Sequence, residues 1–147
     1  CFIRVLQRMG ANIEIQVTST FPEPIGKIRV SSNRVGSLVG VEVTKQEIPS
    51  LIDELPLLAV LASQASGVTV VEGAEELRVK ESDRIEAVAQ GLRAMGAQIE
   101  VRRDGFRIEG PQKLQGADIQ SFHDHRIAMA FGIGALRAEG ITHIHDA

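Results

Sequence analysis

Residues 78–85 read Arg-Val-Lys-Glu-Ser-Asp-Arg-Ile, and a helical apolar pattern begins at the last of them. Apolar side chains then recur at three- and four-residue spacing, which is the period of one helix face. Ser82 or Asp83 can cap the start of this helix, and Gly96 is a natural stop. The stretch therefore predicts an amphipathic helix over residues 83–95. Its apolar face comprises Ile85, Val88, Ala89, Leu92 and Met95.

Charged residues crowd the start of this helix. Lys80 and Arg84 flank Glu81, at a point where free backbone N–H groups and the helix dipole already favour anions. Two cations at that position make a site suited to a doubly charged anion such as a phosphate ester. The alternative is a solvated, charged helix start, which is the commoner meaning of such a run.

A second helix start has the same design. Asp124-His125-Arg126 precedes a nearly continuous apolar segment over residues 127–136. Asp124 is a good N-cap, whereas Arg126 in the first turn is disfavoured by the helix dipole unless it serves an anion. The pattern predicts a buried helix over residues 125–138. Its Arg126 either faces an anionic ligand or pairs with Asp124 or another acid.

A third helix start lies around Asp53 and Pro56. Proline is tolerated in the first turn of a helix, so Asp53 or Glu54 stands at or near the cap. The following apolar run predicts a buried helix over residues 54–66. Asp53 is then either a simple cap or a site residue.

Helical and strand patterns alternate along the rest of the chain, and two segments recur. Residues 8–15 resemble residues 94–101, and residues 53–74 resemble residues 124–147. A hairpin is expected at Asp104-Gly105. Hairpins break a strict βαβ alternation, so the prediction is an α/β fold with mixed sheets. The remaining predicted elements are a helix over 1–9 and strands over 12–17, 27–31, 37–43, 68–72, 98–103, 105–109, 117–119 and 141–145.

Composition excludes several classes of protein. The 147 residues are 44% hydrophobic, which allows one domain with a real core. A net charge of −3 and 3% aromatic residues argue against a nucleic-acid surface. No apolar run approaches the ~20 residues that span a membrane. The single cysteine, Cys1, fits a reducing compartment, and we expect a cytoplasmic protein.

The three helix starts together resemble the signature segments of a known family. Residues 78–85 and 124–129 look like the two signature segments of EPSP synthase, or 3-phosphoshikimate 1-carboxyvinyltransferase. Residues 52–59 are similar to a third segment. The order and spacing also fit, and the resemblance covers essentially the whole chain. The eight-residue motif separates this family from the related UDP-N-acetylglucosamine enolpyruvyl transferase, which is the alternative with the same reaction type.

The resemblance implies a two-lobed enzyme. Each lobe has three βαβαββ units with buried parallel helices and sheets outside, an inside-out α/β barrel. We expect residues 1–147 to be about two units of the C-terminal lobe, without the N-terminal lobe or the extreme C-terminus. The sequence lacks an initiator methionine and begins within a helical pattern, which favours the same interpretation. Such a fragment is expected to be inactive alone.

The implied reaction belongs to the shikimate pathway of chorismate and aromatic amino-acid biosynthesis. It transfers the enolpyruvyl group of phosphoenolpyruvate to the 5-hydroxyl of shikimate 3-phosphate and releases phosphate. This chemistry needs a base, an acid and several cations, and the resemblance implies no cofactor and no metal. The implied roles are base for Asp53, proton donor for Glu81, shikimate 3-phosphate contact and catalysis for Lys80, and phosphoenolpyruvate contacts for Arg84, Arg126 and His125.

Two alternatives come from other classes of protein. His123-x-His125 and His143-x-His145 are both HxH pairs with an aspartate nearby, and two such pairs could complete a zinc site. A metal-binding domain would leave the cations at the helix starts without a purpose. A non-catalytic regulatory fragment is the third class.

Overall fold

The structure is a computed structural model that describes residues 2–31 and 38–147. Its helices are α1 (Phe2–Arg8), α2 (Leu55–Ala62), α3 (Arg84–Ala94) and α4 (His125–Ala135). Its strands are β1 (Asn12–Ser19), β2 (Ile25–Ser31), β3 (Glu42–Val43), β4 (Gly67–Val71), β5 (Glu100–Arg102), β6 (Gly105–Gly110), β7 (Asp118–Gln120) and β8 (His143–His145).

The sheets are mixed, as the hairpins in the sequence predicted. In the central sheet, of order β3-β4-β6-β5, β3 is parallel to β4 while β6 is antiparallel to both β4 and β5. A separate hairpin joins β1 to β2, and β7 is parallel to β8. From β3 to β6 the element order is βαβαββ. The order αββ precedes it and βαβ follows it.

Helices α2, α3 and α4 meet in the core. The buried residues of α2 lie on nearly all sides of the helix, as the unbroken apolar run predicted. Helix α4 packs against α2 and α3, and Gly91 of α3 has no room for a Cβ because the ring of Phe131 lies against it. Burying each large apolar side chain contributes roughly 1.5–3 kcal/mol. This packing fixes the N-termini of α2, α3 and α4 in position relative to one another.

Several predicted elements differ from the structure in extent, most of all one strand and one helix. The strand predicted over 37–43 is reduced to a bridge at Val39 and the two paired residues of β3, and its first residue lies outside the described part. The helix predicted over 54–66 is regular only from Leu55 to Ala62. Its last residues form turns, because the N–H groups of Gln64 and Ala65 donate to the carbonyls three residues back, Leu61 and Ala62, in place of helical bonds four residues back.

Apolar side chains are exposed on two surfaces. Strands β1 and β2 expose Ile15, Val17, Ile28 and Val30, and the outer face of α4 exposes Met129 and Ile133. Contiguous exposed apolar surface is uncommon on a self-contained domain. Across residues 2–31 and 38–147, no helix is both long and apolar enough to cross a membrane.

Candidate active site

The guanidinium of Arg84 joins the three helix starts. Arg84 is the first residue of α3, and it donates from Nη1 to Asp53 Oδ1 (2.9 Å) just before α2. Its Nε donates to Asp124 Oδ2 (2.8 Å) at the start of α4, and its Nη2 donates to Glu81 Oε2 (2.6 Å). Acids that lie 31 residues before Arg84 and 40 residues after it in sequence therefore converge on this one cation.

Burial is uneven around this cation. The side chains of Arg84 and Asp124 are 2% and 0% exposed, whereas those of Asp53 and Glu81 are 43% and 53% exposed. Asp124 thus holds the inner side of the guanidinium, and the outer side faces two solvent-accessible carboxylates. Loss of either member of a buried pair leaves an uncompensated charge, which costs about 3–5 kcal/mol.

Asp124 combines three contacts at the start of α4. Its Oδ1 accepts from the backbone N–H of Arg126 (2.9 Å) as the predicted N-cap, and its Oδ2 also accepts from the hydroxyl of Ser82 (3.0 Å). Burial alone raises the pKa of Asp124, but the hydrogen bonds from Arg84, Ser82 and Arg126 outweigh burial and hold that pKa below its ordinary value. Asp124 is therefore a charged anchor for Arg84.

Arg126 is more open than Arg84. Its guanidinium is 32% exposed and donates from Nη1 to Glu54 Oε1 (3.0 Å), with Asp53 Oδ2 further away at 3.9 Å. The expectation that Arg126 pairs with Asp124 or another acid is met by Glu54. Asp124 receives the backbone N–H of Arg126 instead.

Asp53 is more than a helix cap. It lies in the 3-10 turn Ile52–Glu54, and its carboxylate is bound to Arg84. The hydrogen bond from Arg84 holds the pKa of Asp53 below its ordinary value, and the nearby charges of Arg126 and Lys80 act in the same direction. In this state Asp53 is a weak proton acceptor, so it can act as a base only after Arg84 turns to another anion.

Lys80 ends the 3-10 helix Glu75–Val79 and is turned toward Glu76, with 2.7 Å between Nζ and Oε1. The hydrogen bond to Glu76 raises the pKa of Lys80, and the charge of Asp53 also raises it. The lysine is therefore a fixed cation close to the two exposed carboxylates.

The segment that leads into α4 has an unusual backbone. Phe122 and His123 both have φ of 57°, a left-handed conformation that costs non-glycine residues about 1–3 kcal/mol. This double turn places Asp124 under Arg84 and leaves the side chains of His123 and His125 exposed. A cleft of about 250 Å³ lies beside the turn, lined by Glu81, Ser82, Asp83, Glu86, Ala87, Gln90 and Phe122.

The HxH pairs do not assemble a metal site. In the part of the chain that the structure describes, no three histidine, cysteine, aspartate or glutamate side chains are grouped to hold a metal ion. His145 Nε2 lies 2.8 Å from Asp118 Oδ1 across the β7–β8 pair instead. The alternative of a metal-binding domain thus has no ligand set in residues 2–31 and 38–147.

The sequence prediction named most of the converging residues and missed one. Asp53, Glu81, Arg84 and Arg126 come together as predicted, and Asp124 is a cap and an orienting residue. Glu54 was considered only as a possible cap, although it is the acid that contacts Arg126. A cation at a helix N-terminus is disfavoured by the dipole unless an anion lies nearby, and that preference was the available signal.

The chain is similar to known proteins along nearly its whole length. The sequence model of EPSP synthase (3-phosphoshikimate 1-carboxyvinyltransferase) matches residues 1–147. A 3-phosphoshikimate 1-carboxyvinyltransferase of Thermodesulfovibrio yellowstonii is 50% identical over 147 residues, which are 99% of this chain and 34% of that protein. One of Chloroflexus aurantiacus is 50% identical over 144 residues, 97% of this chain and 32% of that protein.

A solved structure of EPSP synthase from Acinetobacter baumannii superposes with a TM-score of 0.91 at 41% identity. The match covers 98% of this chain and 34% of that one. The chain thus spans about a third of the length of the relatives that it matches.

Proposed function

The chain belongs to the EPSP synthase family, and we propose that it forms one side of the active site of a 3-phosphoshikimate 1-carboxyvinyltransferase. The reaction moves the enolpyruvyl group of phosphoenolpyruvate to the 5-hydroxyl of shikimate 3-phosphate and releases phosphate. One observation carries the proposal: Asp53, Glu81 and Asp124 from three helix starts converge on Arg84, with Arg126 alongside.

The exposed side of this cluster provides the groups that the reaction needs. Phosphoenolpyruvate is anionic, so it takes N–H donors of Arg84 that now face Asp53 and Glu81, together with donors of Arg126 other than the Nη1 group that holds Glu54. Asp53, once released from Arg84, accepts the proton of the 5-hydroxyl as that oxygen bonds to phosphoenolpyruvate. Glu81 delivers a proton to the methylene carbon, and a proton then leaves the resulting methyl group as the C–O bond to phosphate breaks, which restores the vinyl group and releases phosphate.

Two further residues complete the assignment. Lys80 remains a cation beside Asp53 and contacts shikimate 3-phosphate. The exposed His125 donates to the phosphoenolpyruvate anion from the first turn of α4, where the helix N-terminus also favours negative charge. Asp124 stays buried under Arg84 and takes no part in proton transfer.

The charges of this cluster support a role as part of a larger site. Its cations Lys80, Arg84 and Arg126 are already balanced by acids at 2.6–3.0 Å. Two anionic substrates need further cations, which we assign to the rest of a two-lobed enzyme. The chain alone is therefore inactive in this proposal.

The arrangement of the elements supports the same view. The element order is αββ, βαβαββ, βαβ. This order supports our proposal of about two units of a repeating lobe, an inside-out α/β barrel with its helices within. The exposed apolar surfaces of β1, β2 and α4 are where further units would pack. We place the enzyme in the cytoplasm, where a chain with a single cysteine suits a reducing compartment.

The test is a reconstituted synthase, in which residues 1–147 replace the matching third of the T. yellowstonii relative. We expect it to release phosphate only when both substrates are present, while the isolated chain releases none. Glu81→Gln in this protein keeps size and hydrogen bonding but removes the titratable proton, and single-turnover rates should fall about 10²–10⁴-fold. A folded reconstituted synthase without activity, or a Glu81→Gln protein with an undiminished chemical rate, contradicts the corresponding assignment.

A further inference from the structure

The neighbours Asp53 and Glu54 each contact a different arginine. Asp53 Oδ1 accepts from Arg84 Nη1 at 2.9 Å, and Glu54 Oε1 accepts from Arg126 Nη1 at 3.0 Å. The second contact links residues 72 positions apart and joins the start of α2 to the start of α4. One dipeptide thus sets the environment of both cations.

Glu54 is free for this role because it does not cap its own helix. It occupies the N-cap position of α2 with φ of −94° and ψ of −7°, and its side chain makes no capping hydrogen bond. Its carboxylate still lies at the N-terminus of α2, where the helix dipole attracts negative charge. A carboxylate so placed is a stable acceptor for Arg126.

Arg126 needs such a partner to keep its orientation. It is the second residue of α4, where the dipole disfavours a cation, and its long side chain has many rotamers. Asp53, the other nearby acid, lies 3.9 Å from Nη2 of Arg126 and already binds Arg84. Without Glu54, Arg126 would turn toward Asp53 and compete for the candidate base.

We propose that Glu54 is a positioning residue that holds Arg126 in the orientation in which it binds phosphoenolpyruvate and keeps it away from Asp53. The inference rests on the proposed function. In this role Arg126 holds the substrate anion equally before and during reaction, so loss of its orientation weakens binding and leaves turnover intact.

Three variants of the reconstituted synthase test the role. Glu54→Ala should raise the KM for phosphoenolpyruvate about tenfold, equivalent to about 1.4 kcal/mol, with kcat within about twofold. Glu54→Gln retains an acceptor oxygen and should stay within about threefold of the parent KM. Glu139→Ala removes the same charge beyond the far end of α4 and should change neither constant.

Each other result overturns the inference. A Glu54→Ala protein with unchanged KM shows that Arg126 needs no positioning. A lower KM in both the Ala and Gln variants shows that Glu54 merely competes with the substrate. A fall in kcat alone assigns Glu54 to the chemical step. If Glu54→Ala does not fold, Glu54→Asp withdraws the carboxylate by one methylene and should raise KM to a value between those expected for Glu54→Gln and Glu54→Ala. An unchanged KM in that variant contradicts the role.

A second readout separates this inference from the proposed function. In the reconstituted synthase, the ¹⁵N–{¹H} NOE of Arg126 Nε reports the order of that side chain without any turnover. The signal is assigned by its loss in Arg126→Lys. The NOE should fall in Glu54→Ala and be retained in Glu54→Gln. If the reconstituted synthase is inactive while the NOE falls as expected, the proposed function fails and Glu54 still orders Arg126. An unchanged NOE overturns the inference whatever the activity.

Discussion

The starts of α3 and α4 use the same local pattern for two different cations. Each helix has an aspartate N-cap, Asp83 accepting from Glu86 N (3.1 Å) and Asp124 from Arg126 N (2.9 Å). Each also carries an arginine in its first turn. Arg84 is 2% exposed and bonded to carboxylates from three segments, whereas Arg126 is 32% exposed with one close carboxylate. Similar local sequences thus produce a fixed, buried cation at the start of α3 and an accessible cation at the start of α4.

The difference follows from what lies beneath each guanidinium. Arg84 sits above Asp124, which is itself fully buried, and water cannot replace either partner. The pair is therefore rigid and sensitive to any loss. Arg126 and Glu54 both retain contact with water, so their pair contributes less to stability, and the remaining N–H donors of Arg126 stay accessible to a substrate anion.

Removal of Arg84 should have the largest effect on stability. Arg84→Ala leaves Asp124 buried without its ion pair, and the free energy of unfolding should fall by about 3–5 kcal/mol. Arg126→Ala should cost less than about 1 kcal/mol, because its pair is partly exposed. Urea denaturation of the chain measures both values.

A double variant serves as the control for this comparison. Arg84→Met combined with Asp124→Asn removes both charges, while the asparagine side chain can still cap α4. The double variant should be more stable than Arg84→Ala alone. Equal losses of unfolding free energy in Arg84→Ala and Arg126→Ala would contradict the distinction between the starts of α3 and α4.

Arg126 should contribute strongly to phosphoenolpyruvate binding although it contributes little to the stability of the fold. In the reconstituted synthase, Arg126→Ala should raise the KM for phosphoenolpyruvate by the equivalent of about 1.5–3 kcal/mol, the usual worth of a charge-assisted hydrogen bond. Steady-state kinetics with saturating shikimate 3-phosphate measures the effect. Arg137→Ala, an exposed cation beyond the other end of α4, is the matched control. A KM equal to that of Arg137→Ala would show that Arg126 does not contribute to phosphoenolpyruvate binding.

The buried pair should also give the fold a particular acid sensitivity. The pKa of Asp124 lies below its ordinary value in the folded chain, so its stabilising contribution is present above pH of about 4. That contribution is lost as the pH falls through the lower, folded pKa. Asp124→Asn should be less stable at neutral pH and should lose less stability between about pH 5 and about pH 2. Parallel pH profiles of the two proteins by urea denaturation would contradict this account.

The smallest effect is expected at the other cap. Asp83 caps α3 and pairs with Arg78 at 2.8 Å on a partly exposed surface. Asp83→Ala should therefore destabilise the chain by only about 1 kcal/mol, the usual value of a helix cap. Asp83→Asn keeps the cap and is the control. A loss as large as that of Arg84→Ala would mean that the two caps are equally buried, against the structure.

Local signals were enough to predict most elements of this fold. Pro56 lies in the first turn of α2, and Asp83 and Asp124 cap α3 and α4. The β5–β6 hairpin forms as predicted, but its turn is Arg103-Asp104, one residue earlier than the predicted Asp104-Gly105, because Gly105 pairs with Arg102. Caps, turn residues and apolar periodicity act within a few residues, so the sequence displays them directly. The extent of β3 was not predictable, because a strand of two residues exists only through its pairing with β4.

The sequence by itself determined the residue types at the three helix starts, and with them the prediction of an anion site. Only the tertiary structure decided which charges meet: Arg84 with Asp124 and Asp53, and Arg126 with Glu54. These pairs join segments 31 to 72 residues apart. Their choice depends on how α2, α3 and α4 pack and on which guanidinium the packing buries, and neither is encoded in the spacing along any single segment.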